Sequence, residues 1–227
     1  SLGAGGVATG SINVITLNMN RLVQQNRNLS EEVRKIHRYQ VAFRKLIEEY
    51  KAGGLLPVYD AGFISLDKQF LTIGINGMVE AAEYLGIAPT NNEQYKDFVR
   101  HHLKIIYEEN RKAREVYGYM FNTEFVPAEN LGVKNALWDK KDGLFSPREC
   151  YNSYFYAVED TQVNALDKII LHGKEIIQYL DGGSALHLNL EETPNKEGFL
   201  KLLNATALAG CNYFCFNIRI TICNECN

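Results

Sequence analysis

Two cysteines close to the C-terminus, Cys223 and Cys226, are separated by two residues, a spacing that lets both thiolates reach one tetrahedral metal ion. Such a pair is half of a four-thiolate site. A redox pair is the alternative, but thioredoxin-like pairs open a helix near the start of a βαβ unit. This pair follows a strand-like segment, which favours half of a zinc knuckle. A second cluster is "NTEFVPAEN", which sets Asn122, Glu124, Glu129 and Asn130 around a Pro-Ala turn at the end of a predicted strand. Ligand sites of α/β proteins lie at such strand ends, and paired carboxylates serve acid and base roles. A polar turn with no function is the plainer reading of the same residues.

Glycines near the start, "GAGGVATGS", give Gly5 and Gly10 the spacing of a phosphate loop. Ser11 stands where that loop needs lysine, and a strand follows where it needs a helix. A glycine-rich turn beside a bound ligand fits better than a nucleotide-hydrolysing loop. His101 and His102 lack the partner four residues on that a helical metal motif requires, so His102 reads as a core-edge residue and His101 as solvated. His187 alternates with Leu186 and Leu188 and points to the other side of its strand, either lining a site or satisfied in a core.

The elements that must hold these residues alternate between strands and helices. "INVITLN" (12–18), "QFLTIGI" (69–75), "YMFNTEF" (119–125), "ALHLNL" and "CNYFCFNI" read as strands. Between them, a long helix opens at Asn28 or Ser30 and stops at Gly53 and Gly54. "GMVEAAEYLG" is a short helix, and "NNEQYKDFVRHHLKIIYEENRKAREVYG" is amphipathic, with Tyr95, Phe98, Val99, His102 and Ile106 on one face. "DTQVNALDKIILHGKEIIQYL" and "NKEGFLKLLNATALAG" supply two more helices. This order predicts an α/β fold of parallel βαβ units, either a barrel or a doubly wound sheet, in one domain spanning residues 1–227.

Composition narrows the function classes. The chain has 227 residues, 46% hydrophobic and 22% charged, enough to bury a substantial core. A net charge of -3 offers no basic excess for nucleic acid or an anionic membrane. No apolar run approaches the roughly 20 residues of a membrane span, and no signal peptide opens the chain. Five cysteines crowded toward the C-terminus suit a reducing, cytoplasmic setting. The glycine-rich start without Met is expected to lie inside a larger protein.

Six segments in order, "GGVATGSINVITLNMNRL", "GINGMVEAAEYLG", "NTEFVPAENLGVKNALWDKKDGL", "NSYFYAVEDT", "GGSALHLNLEE" and "GCNYFCFNIRITICNEC", resemble the C-terminal half of the catalytic domain of class III anaerobic ribonucleoside-triphosphate reductases. The resemblance implies part of the ten-stranded α/β barrel of the glycyl-radical type. It implies reduction of ribonucleoside triphosphates to deoxyribonucleotides, with formate as reductant, in a family whose full-length members are homodimers regulated by ATP and dNTPs. A radical-SAM enzyme installs the glycyl radical, whose residue is expected outside this chain together with the finger-loop cysteine.

Residue by residue, the resemblance makes Cys223 and Cys226 the first zinc pair, with the second pair expected beyond Asn227. Asn13 is the candidate catalytic amide near the substrate ribose and formate. Gly10, Ser11, Glu124, Pro127, Ala128, Glu129, Asn130, Asn152 and Ser153 are candidates for the nucleotide pocket. An isolated fragment is expected to be inactive and to associate through exposed strand edges. The alternative function is a non-catalytic binding or scaffold piece of a split reductase, completed by a partner polypeptide.

Overall fold

The structure is a computed structural model that describes residues 9–125, 129–156, 163–190 and 192–218. Three strands, β1 (Gly10–Asn18), β2 (Gln69–Asn76) and β3 (Met120–Phe125), form a parallel sheet in the order β1-β2-β3. Two more, β4 (Leu186–Leu190) and β5 (Phe214–Ile218), pair in parallel as a second sheet. Between the sheets, Gly182 N donates to Thr123 O at 2.9 Å and Glu124 forms an isolated parallel bridge with Gly183. Strand order therefore follows chain order through all the described strands. A doubly wound sheet would reverse that order, so the arrangement is singly wound.

Each parallel pair needs a crossover, and helices supply it. The two long ones, α2 (Leu29–Ala52) and α5 (Glu93–Tyr117), cover one face of the first sheet. Val33, Ile36 and Val41 of α2 and Tyr95, Val99, Leu103 and Ile106 of α5 are buried, as are Leu71, Ile73, Ile75 and Phe121 of the strands. Both helices start where an asparagine can accept from the backbone: Asn28 Oδ1 from Glu31 N at 3.2 Å and Asn92 Oδ1 from Tyr95 N at 2.8 Å. Gly118, at φ 70°, closes α5 in the left-handed conformation that glycine adopts without strain.

Some elements differ from the sequence reading or add to it. Asn18 ends β1 and caps a short helix, α1 (Met19–Gln24), by accepting from Arg21 N at 3.1 Å. A one-turn helix, α3 (Pro57–Asp60), precedes β2, and α4 (Met78–Tyr84) follows it. The polar stretch around Trp138 is a helix, α6 (Glu129–Lys141). The segment read as a single helix before β4 is two, α7 (Ala165–Leu171) and α8 (Lys174–Ile177), broken at Gly173. A Cβ there would sit 2.8 Å from Ile170 O and 3.0 Å from Ala209 O, so the close approach of α9 (Lys196–Ala209) requires the glycine.

Candidate functional site

Alternation along β2 and β3 separates two chemistries. Leu71, Ile73 and Phe121 face the helices, which leaves Thr72, Gly74 and Asn76 with Asn122 and Glu124 on the opposite face. Thr72 pairs with Asn122 and Gly74 with Glu124 in the register. Thr16 of β1 lies against Gly74, where an added Cβ would meet Thr16 Oγ1 at 2.4 Å. Ser11 Oγ approaches Thr72 Oγ1 at 2.5 Å, and Thr72 Oγ1 donates to Asn122 Oδ1 at 2.6 Å. A polar row thus crosses all three strands on the face away from the helices.

At the C-terminal ends of the strands the polar groups thicken into a network. Asn76, wholly buried, accepts from Asn135 Nδ2 at 2.8 Å and donates to Asn152 O at 3.1 Å and Tyr151 O at 3.3 Å. Gly77 N also donates to Asn152 O, at 3.0 Å. Glu80 Oε1 on α4 accepts from Asn152 N at 3.0 Å, from Asn152 Nδ2 at 2.8 Å and from Arg148. Burial works against the charge on Arg148, but Glu83 and Glu80 outweigh it and hold the guanidinium above its usual range. Asp139, wholly buried on α6, accepts from Arg21 Nε at 2.6 Å, Tyr151 OH at 2.9 Å, Asn20 Nδ2 at 3.1 Å and Asn18 Nδ2 at 3.1 Å. Burial, and then Asp139, push the Tyr151 phenol up to about 12, so it donates and does not ionise.

The predicted site residues fall into groups. Ser11 and Glu124 belong to the polar face, and Asn152 and Ser153 dock on the end of β2, with the Asn152 amide spent on Glu80. Asn13 lies at a register irregularity in β1, between Ser11 and Asn13, and its Oδ1 is buried without a hydrogen-bond partner. Gly10 opens β1 opposite Gln69 with free space around its Cα, and Asn130 is exposed on α6. Pro127, Ala128, the Glu129 side chain, Cys223 and Cys226 lie outside the described residues.

Thr72, Asn76, Glu80 and Asp139 of these polar groups, and His172 elsewhere in the core, were not singled out from sequence. The signal for the first two was present in "LTIGIN", where polar or small residues recur at every second position of the strand. His172 had no such signal. It is wholly buried, stacks on Phe155 with ring centroids 5.4 Å apart, and its Nε2 lies 3.0 Å from Ser184 Oγ. Burial lowers its pKa to about 4. His102 behaves as the sequence suggested, half-buried with Nδ1 2.7 Å from Phe98 O, while His101 is exposed. His187 is half-buried, its ring 5.7 Å from that of Tyr154.

The described strands and helices thus form a singly wound parallel α/β scaffold with a polar face and a hydrogen-bonded network at its strand ends. The family model for anaerobic ribonucleoside-triphosphate reductase matches residues 2–227, and the chain belongs to that family. It is similar to the anaerobic ribonucleotide reductase of Thermotoga maritima in complex with dATP and CTP, at 31% identity and a TM-score of 0.88, covering 98% of this chain and 39% of that one. The same enzyme with MES in the active site gives 31% identity and a TM-score of 0.89, covering 99% of this chain and 40% of that one. With glycerol in the active site, the values are 31%, 0.88, 99% and 38%. The chain thus spans about two fifths of the length of these structures. A comparison with curated proteins finds no match.

Proposed function

We propose that this chain forms part of the ten-stranded catalytic barrel of an enzyme that reduces ribonucleoside triphosphates to deoxyribonucleoside triphosphates. The observation that carries the reading is the family match over residues 2–227 together with a polar row on the sheet face away from the helices. In this reading the nucleotide lies against that face. Ser11, Glu124 and the backbone at Gly10 border the ribose, and Asn13 offers a side-chain amide that hydrogen-bonds a hydroxyl without adding a competing base. Asn130 at the start of α6 and the Asn152-Ser153 segment border the pocket at the strand ends. Asn76 and Glu80 hold the latter segment in place.

Formate is the reductant in this proposal, a radical-SAM enzyme is the activating partner, the full-length protein is a homodimer with ATP and dNTP effectors, and the setting is cytoplasmic. Among the described residues, no helix is long and apolar enough to cross a membrane. A glycyl radical supplies one-electron hydrogen abstraction to such an enzyme. For zinc, Cys223 and Cys226 carry the donor chemistry. Cys211 is a poor ligand by comparison: burial pushes its thiol up to about 11, and it donates to the carbonyls of Ile169 and His172.

The test is a chimera in which this chain replaces the matching part of the Thermotoga maritima enzyme, assayed anaerobically with activating enzyme, formate and CTP. Deoxynucleotide formation that disappears in Asn13→Ala is the expected result. A folded, nucleotide-binding chimera that forms no product would overturn the proposal.

A further inference from the structure

The polar row across β1, β2 and β3 has a direction. A hydroxyl carries one proton, and an amide oxygen only accepts. Thr72 gives its proton to Asn122 Oδ1 at 2.6 Å, so in the 2.5 Å contact between Ser11 and Thr72 it is Ser11 that donates. This order turns the Asn122 oxygen toward Thr72 and its NH2 group away. Asn122 is wholly buried, and that NH2 has no hydrogen-bond partner. A buried donor carries a desolvation cost that only an acceptor offsets.

Gly182 packs closely beside this NH2, where an added Cβ would also meet Thr123 O at 2.7 Å. A Cβ on Gly182 would come within 3.1 Å of both Asn122 Nδ2 and Glu124 Cβ. Glu124 shares the face of Asn122 by alternation and is 7% exposed. Ser11, Thr72 and Asn122 are neutral, so these three side chains offer no positive charge to a phosphate or carboxylate ligand. A neutral hydroxyl suits the position, because its oxygen accepts from an amide.

We propose that the Asn122 NH2 donates a hydrogen bond to a sugar hydroxyl of the bound ribonucleotide, with Thr72 and Ser11 as positioning residues that fix the orientation of the amide. This rests on the nucleotide reading above and adds a residue that reads the ribose and not the phosphates.

The experiment is calorimetric titration of the chimera described above with CTP and with its 2′,3′-dideoxy counterpart. Asn122→Ala is expected to weaken CTP binding about tenfold and to leave dideoxy binding within about twofold, the loss of one hydrogen bond. Thr72→Val, which releases the amide without removing it, is expected to shift CTP binding the same way by a smaller factor. Where the alanine variant does not fold, Asn122→Ser takes its place. Equal losses for both nucleotides, or no loss for either, would overturn the assignment of Asn122 while leaving the nucleotide reading intact. A chimera with Asn122 intact that binds neither nucleotide overturns the nucleotide reading, and this inference falls with it.

Discussion

The carboxylate of Asp139 on α6 accepts the Tyr151 hydroxyl at 2.9 Å, with both side chains buried. Asn18, Asn20 and Arg21, from the end of β1 and the start of α1, converge on the same carboxylate. One acid therefore ties the first strand, the α6 helix and the segment leading to Asn152. Removing it leaves several buried donors without an acceptor, and breaking a buried charged network costs about 3 kcal/mol. Asp139→Leu is expected to lower Tm by about 6–12 °C for a chain of this size, measured by circular dichroism. A change under about 2 °C would show that the network contributes little.

His172 makes stability depend on pH. Burial holds its folded pKa at about 4, below the 6.5 of an exposed imidazole. The unfolded chain therefore takes up a proton before the folded one does. Stability from this group is complete above about pH 6.5 and is lost progressively as pH falls toward 4, by about 3 kcal/mol in all. Burial lowers His37 and His102 as well, so they act in the same direction. Urea titrations at pH 7.5, 6 and 5 should show a falling midpoint, with a shallower fall in His172→Gln. Identical slopes in the two proteins would remove His172 as the cause.

The strands and long helices were legible because burial imposes periodicity on them. Leu71, Ile73 and Ile75 mark β2, and Asn92 with Gly118 marks both ends of α5. The α6 helix was not legible, because it does not bury a regular apolar stripe: Val133, Leu137 and Trp138 are 48%, 62% and 50% exposed. The break at Gly173 depends on a contact with Ala209, far along the chain, which local sequence does not encode. For the site, the motifs pointed to the Asn152-Ser153 segment, which docks on the end of β2, and to the stretch after β3, of which 126–128 lie outside the described residues. They missed Asp139 and Glu80, which draw partners from far along the chain, Asn18 for the first and Asn152 for the second.

Gly74 offers a test of the register between β1 and β2. Its added Cβ would overlap Thr16 Oγ1 at 2.4 Å, so Gly74→Ala should destabilise the protein by about 1–3 kcal/mol through overpacking. Thr16→Ala removes the obstructing atom, and the double variant should recover much of the loss. A double-mutant cycle in urea is expected to give a coupling energy of about 1 kcal/mol or more. Additive effects would place Thr16 elsewhere.

Thiol reactivity should separate the described cysteines by environment. Cys211 is half-buried, its sulfur 3.4 Å from His172 O, and burial pushes its pKa up to about 11. At pH 8 almost none of it is thiolate, the form that attacks an alkylating agent. Cys150 and Cys215 are exposed. Brief treatment of the native protein with iodoacetamide, followed by peptide mass spectrometry, should label Cys150 and Cys215 well before Cys211. In urea the three should react at similar rates, because the barrier at Cys211 belongs to the packing of α7 against α9 and disappears with it. Early labelling of Cys211 in the native state would mean that this packing opens readily, and the α7–α9 contact would then be a weak point of the fold.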